Sequence, residues 1–178
     1  MNKKLKLEEL NRLSIEDYKK SVKDPVIVLL DNVRSLNNIG SVFRTCDGMG
    51  IKKVYLCGIT GTPPHKEIRK TAIGATESVD WEYAENALEI IKKYKRLNYS
   101  IIAVEQTSKS ISLENYSHNK TETLLIFGNE IDGVSQNLID ESDISLEIPQ
   151  WGTKHSMNIS VVTGIVLWTI KLKKLWKT

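Results

Sequence analysis

Three short stretches concentrate the side chains that could do chemistry, and each follows an apolar run. The first is Asn32-Val-Arg34-Ser-Leu-Asn-Asn38-Ile-Gly40-Ser-Val-Phe-Arg44. Asn38 and Gly40 suit a tight turn. Arg44 falls one helical turn past Gly40 and could point back toward the strand end, where its planar fork would clamp a phosphate. On spacing alone, a surface arginine on a capped helix is the simpler reading. The second stretch is Leu125-Ile-Phe127-Gly128-Asn129-Glu130-Ile-Asp-Gly133. Gly128 would let a ligand approach the backbone. Glu130 could orient an arginine or accept a ligand hydroxyl, and a capping acid at a strand-to-turn junction fits equally. The third runs from Ile148 through Pro149, Trp151, Lys154, His155, Ser156, Met157 and Asn158 to Ser160. Ser156 or Asn158 could cap the helix that follows. His155 could act as acid or base, though it also reads as a loop histidine at the surface.

The elements that must position these groups alternate in type. Pro25 to Asp31 is a continuous apolar run of the kind found in strands covered on both faces. Further strands are expected at 53–57, 100–105, 123–127 and 144–148. Helices are expected at 5–21, 41–49 (closed by Gly50), 85–97, 135–141 and 157–176. Asn37 to Gly40 reads as a turn and Gly58 to His65, with Pro63-Pro64, as a loop. The alternation predicts an α/β protein with a mainly parallel sheet and helices on both faces. Ligands in such sheets bind outside the carboxyl ends of the strands, where all three polar stretches fall.

The 178 residues fit one domain, read as a short helical extension over 1–24 and a main domain over 25–178. The N-terminus mixes both charges and has no signal-peptide core. The apolar stretch Ile159 to Ile170 is too short to span a bilayer. Cys46 and Cys57 form no C-x-x-C pair, and no metal spacing is visible. The reading is a soluble, cytoplasmic protein without a metal. Net charge is +3, a weak pointer to nucleic acid. Seven Lys/Arg face three acids between Asp31 and Gly74, whereas seven acids and no Lys or Arg lie between Thr121 and Glu147; solvated faces would give the same distribution. No G-x-G-x-x-G, G-x-x-x-x-G-K-[ST] or G-x-S-x-G occurs. This disfavours a nicotinamide-type site, a P-loop and an α/β-hydrolase.

In this order, the three stretches resemble the three motifs of the SpoU/TrmH (SPOUT) family of RNA 2′-O-ribose methyltransferases. Asn32, Asn38, Gly40 and Arg44 match the first. Phe127, Gly128, Glu130 and Gly133 match the second. Ile148, Pro149, Ser156, Met157, Asn158, Ile159 and Ser160 match the third. The likeness covers about Pro25 to Trp168.

The resemblance implies an α/β knot, with the C-terminal part threaded into a deep trefoil. It implies S-adenosylmethionine bound there largely by backbone groups, with Val104, Gly128, Ile148 and Met157 lining the pocket. The implied catalytic set is Asn38, Arg44, Glu130, Ser156 and Asn158. Because a guanidinium keeps its proton, Arg44 is expected to bind the phosphate beside the target ribose rather than serve as a bare base. Glu130 would hold Arg44, Asn38 and Ser156 would orient the sugar, and Asn158 would hold the loop. Arg34, Lys66, Arg69, Lys70 and Lys154 are the candidates for RNA phosphates. A homodimer through the knot region and the apolar final helix is implied as well. The RNA domain that many larger relatives carry ahead of the first strand is expected to be missing, and on that expectation tRNA is favoured over rRNA. The competing reading is a non-catalytic RNA-binding module of the same fold.

Overall fold

The computed structural model describes residues 1–117 and 122–175. Strand β1 (Asp24–Asp31) sits near the middle of the sheet. Val26, Val28 and Leu30 enter one core and Ile27 and Leu29 the other, so the strand is covered on both faces from Val26 onward. The chain continues through α2 (Leu36–Met49), β2 (Ile51–Cys57), the short helices α3 (Lys66–Ala72) and α4 (Ala75–Ser78), and β3 (Trp81–Ala84). It then forms α5 (Ala87–Arg96), β4 (Ser100–Val104), β5 (Ile111–Ser112), β6 (Thr123–Phe127), α6 (Gln136–Asp140), β7 (Ile144–Glu147) and α7 (Ile159–Leu175). A short helix α1 (Ile15–Lys20) precedes the sheet.

The described strands form a seven-stranded sheet in the order β3-β2-β1-β6-β4-β7-β5, and every pairing is parallel. All strands therefore end at one edge. Strands β2 and β3 extend the sheet to one side of β1, whereas β4 and the later strands build the other side, with β6 filling the centre. Helices α2, α3, α4 and α7 pack on one face, through residues such as Phe43, Ile68, Ala75 and Val166. Helices α5 and α6 cover the other, through Ile91, Tyr94 and Leu138. The expected parallel sheet with helices on both faces is what the chain forms.

Several local expectations change. Residues 5–21 are not one helix. A 3-10 turn over Leu7–Leu10 ends at Asn11 in the left-handed region (φ 48°), and Ser14 then caps α1 by accepting the Asp17 N–H. Leu5, Leu10, Leu13 and Ile15 are exposed, so these side chains bury no apolar face that would hold a continuous helix together. Helix α2 begins at Leu36, five residues early, and takes in the Asn-Asn-x-Gly sequence read as a turn. Helices α3 and α4 and the edge strands β3 and β5 were not visible in the periodicity, being two to seven residues long. Trp176, the expected end of the final helix, and Thr121, one end of the acidic stretch, lie outside the described residues.

Candidate active site

The loop from β1 into α2 is held by its own polar side chains. Asn32 adopts φ 55°, a conformation that asparagine tolerates better than most residues. Its amide nitrogen donates to Asp31 at 2.7 Å, and its amide oxygen accepts the Ile59 N–H at 3.1 Å. The buried Thr60 hydroxyl accepts the Val33 N–H and donates to the Leu30 carbonyl. Ser35 caps α2 by accepting the Asn38 N–H. Gly40 is required by packing. A Cβ there would lie 2.1 Å from the Thr71 hydroxyl and 2.3 Å from the Ile68 carbonyl oxygen, so α3 presses directly on α2.

After β6 the chain doubles back, with a bridge between Asn129 and Gly133. A Cβ on Gly128 would fall 1.9 Å from the Gly133 carbonyl carbon. Gly128 is thus pressed by the protein's own backbone on its Cβ side. Two carboxylates at the ends of β1 and β4, the strands on either side of β6, pin this loop. Asp31 accepts the Ser135 N–H and Glu105 accepts the Val134 N–H, each at 2.9 Å. Sequence reading missed both roles; the available signal was an acid directly at the end of a buried strand.

The pinned loop delivers Glu130 to the start of α2. Its carboxylate accepts from the Asn38 side-chain amide at 2.9 Å and from the Arg34 and Ser35 N–H groups at 3.3 Å. The expected partnership of Glu130 with Arg44 is replaced by this contact with the first turn of α2, where an N-terminal dipole favours a negative charge. Burial by itself would push the Glu130 carboxyl upward. The hydrogen bonds from Asn38 and the backbone outweigh it and hold the group below the usual carboxylate range. Arg44 lies six residues beyond Asn38, about 9 Å along the axis. It is exposed and makes no hydrogen bond or ion pair with a described residue.

The third stretch closes the arrangement. The Asn158 amide nitrogen donates to the Asn38 amide oxygen at 3.1 Å, while its own oxygen accepts from the Ser160 N–H and hydroxyl. Asn158 therefore caps α7 and joins it to α2 at once. The helix begins at Ile159, two residues later than expected, because of this cap. Further along, Gly164 lies against Thr45, and Lys171 reaches the Met49 carbonyl at 2.7 Å. Helices α2 and α7 thus run side by side in the same direction, with both N-termini at the site. Glu130, Asn38 and Asn158, one residue from each stretch, form a continuous hydrogen-bonded chain.

Beside this chain lies a cavity of about 570 Å³ at the carboxyl edge of the sheet. Val104, Gly128, Ile148 and Met157, all expected at the cofactor, line it, and so do Glu130, Ser156 and Asn158. Asn38 reaches it only through its partners, and Arg44 does not line it. A volume in the range of small-molecule sites, with apolar walls and loop backbone, suits a nucleoside-sized ligand carrying a polar tail. Lys66, Arg69 and Lys70 come together elsewhere, around a second hollow of about 590 Å³ on α3 and its flanks. Arg34 and Lys154 are exposed at the first site's borders. Among the described residues no His, Cys, Asp and Glu cluster fit for a metal is seen, and no helix is long and apolar enough to cross a membrane.

The model of the SpoU rRNA Methylase family matches residues 25–168. The chain belongs to that family. Among similar family proteins, the tRNA (guanosine(18)-2'-O)-methyltransferase of Aquifex aeolicus is 32% identical over 86% of this chain and 71% of its own length. The 23S rRNA (guanosine-2'-O-)-methyltransferase of Neisseria meningitidis is 28% identical over 88% of this chain, which spans 62% of that protein. The crystal structure of the A. aeolicus TrmH/SpoU tRNA modifying enzyme superposes with a TM-score of 0.81 at 26% identity, covering 92% of this chain and 83% of that one. An AdoMet-bound rRNA methyltransferase from Sinorhizobium meliloti gives 0.77 at 25% identity, covering 87% and 59%. The seven-stranded sheet is therefore the family's fold, and the three matched stretches fall where its strands end.

Proposed function

We propose that the protein transfers a methyl group from S-adenosylmethionine to a ribose 2′-hydroxyl of structured RNA, with tRNA favoured over rRNA. The observation that carries this reading is the Glu130–Asn38–Asn158 chain, which ties all three family stretches together beside the cavity at 2.9 and 3.1 Å. The names of the relatives, which act on tRNA and on 23S rRNA, support the substrate class. The AdoMet-bound neighbour supports the cofactor.

Val104, Gly128, Ile148 and Met157 would hold the cofactor, whose chemistry is to offer an electrophilic sulfonium methyl. The residues of the chain then have two tasks: to bring the 2′-oxygen into line and to ease the loss of its proton. Asn38 and Ser156 orient the sugar. Asn38 is itself fixed between Glu130 and Asn158, so its amide is presented in one orientation. Arg44, free of protein partners among the described residues, takes the adjacent phosphate with its guanidinium and steadies the developing alkoxide. A phosphate oxygen or water accepts the proton. Arg34, Lys66, Arg69, Lys70 and Lys154 supply further phosphate contacts.

The finer architecture belongs to the same proposal. Residues 25–178 form the methyltransferase domain behind a short extension over 1–24. The segment leading into α7 is threaded as a trefoil knot, and the protein works in the cytoplasm as a homodimer. The dimer is supported by α7. Val161, Trp168 and Leu175 are exposed, and Ile165 and Leu172 lie half-buried between them. That alternating spacing of four and three makes an apolar seam suited to a second helix.

The test is transfer of labelled methyl from S-adenosylmethionine to unmodified tRNA and to rRNA, followed by mapping of the 2′-O-methyl position. Calorimetry with the cofactor accompanies it. Cofactor binding together with ribose methylation supports the reading. RNA binding without cofactor binding would favour the non-catalytic module.

A further inference from the structure

The loop between β7 and α7 carries a large side chain that the catalytic reading leaves unused. Trp151 is 89% exposed, although an indole is among the largest apolar surfaces a chain can hold out to water. The loop also contains Lys154 and His155, and between Ile148 and Asn158 it has no acidic residue. Its base is fastened. The side-chain amides of Gln106 and Gln150 both donate to the His155 carbonyl, at 2.7 and 3.4 Å. Gln150, His155 and Ser156 line the cavity, whereas residues 151–154 are exposed, so the tip stands at its rim. Ile131, 75% exposed, lines the same cavity from the loop after β6.

We infer that Trp151 stacks on an unpaired base next to the target nucleotide, with Lys154 on a phosphate of the same strand. The inference rests on the RNA methyltransferase reading and names how that substrate is held. Single-stranded RNA offers flat π faces along an anionic backbone, and an aromatic and a cation on one acid-free loop match both features. A second copy of the chain is the poorer occupant. Covering the indole would also strip water from Thr153, Lys154 and His155, which stand exposed beside it.

The experiment compares wild type, Trp151→Ala and Trp151→Phe. Binding is measured to unmodified tRNA transcripts and to single-stranded oligouridylate, together with steady-state kinetics, cofactor calorimetry and sedimentation. Trp151→Ala weakens binding to both RNAs by about tenfold, the scale of losing one stacked base. It raises KM for tRNA and leaves kcat nearly unchanged, and Trp151→Phe keeps most of the affinity. Cofactor affinity, melting temperature and sedimentation do not change, because the indole is solvated. Wild-type RNA affinity in Trp151→Ala overturns the assignment. A fall in oligomeric mass in that variant also overturns it, by giving the indole to a contact between copies. A wild-type protein that methylates no RNA overturns the underlying reading instead, and does so before any substitution is made.

Discussion

Arg44 and Glu130 carry opposite charges in two of the matched stretches, yet they do not meet. Glu130 is spent on the start of α2, where it orients Asn38 and takes the N–H groups of Arg34 and Ser35 just ahead of the helix. Arg44 is left exposed. An arginine with no ion pair to a described residue is better placed to recruit an external anion than to be steered by one inside. Arg44→Lys keeps the charge and loses the planar fork. Turnover should fall about tenfold or more while cofactor affinity holds; near-normal turnover in steady-state kinetics would show that charge alone suffices. Glu130 gives a prediction in pH. Its folded pKa lies below the ordinary 4.5, so its contribution to stability is full above that value and is lost as pH falls through the lowered one. The carboxylate is largely exposed, which limits that contribution to about 1 kcal/mol. In urea unfolding, the gap between wild type and Glu130→Gln should stay constant at pH values well above 4.5 and close as pH falls below it.

Among the elements, the strands were the most legible and the short helices the least. A strand buried on both faces must be apolar throughout, so β1 and β6 announce themselves in sequence. Helix α2 was cut short because Asn37, Asn38 and Gly40 look like turn residues one by one. The Ser35 cap, the Glu130 carboxylate and the pressure of α3 on Gly40 override that local preference. At Gly128 glycine is demanded by the returning segment at Gly133 and Val134. Gly128→Ala should force the loop after β6 outward, carrying Glu130 with it. The expected cost is about 1–3 kcal/mol of stability and a loss of cofactor binding, read by thermal melting and calorimetry. Gly152→Ala is the matched control: its Cβ meets nothing within 4 Å, and both measurements should stay at wild-type values.

At the scale of the whole molecule, α7 serves two surfaces. Thr163, Val166, Leu167 and Ile170 are buried in the chain's own core, and Val161, Trp168 and Leu175 face outward. If the outward seam pairs with a second copy, Trp168→Lys should convert a dimer to a monomer in sedimentation while leaving the monomer folded. A monomeric wild type would remove the proposed dimer. The sequence by itself determined the α/β class, the parallel sheet and the three polar stretches at its strand ends. Those follow from the period of apolar residues and from residue order along the chain. It also carried the family, because the motifs lie within contiguous segments. What only the tertiary structure decided is who touches whom. Asn38 bonds Glu130 and Asn158 across 92 and 120 positions of chain, and no local pattern announces either pairing. Glu130 meets the start of α2, not Arg44 farther along it, because two strand ends, Asp31 and Glu105, hold its loop. That placement is a property of packed backbone, which single-residue spacing does not encode.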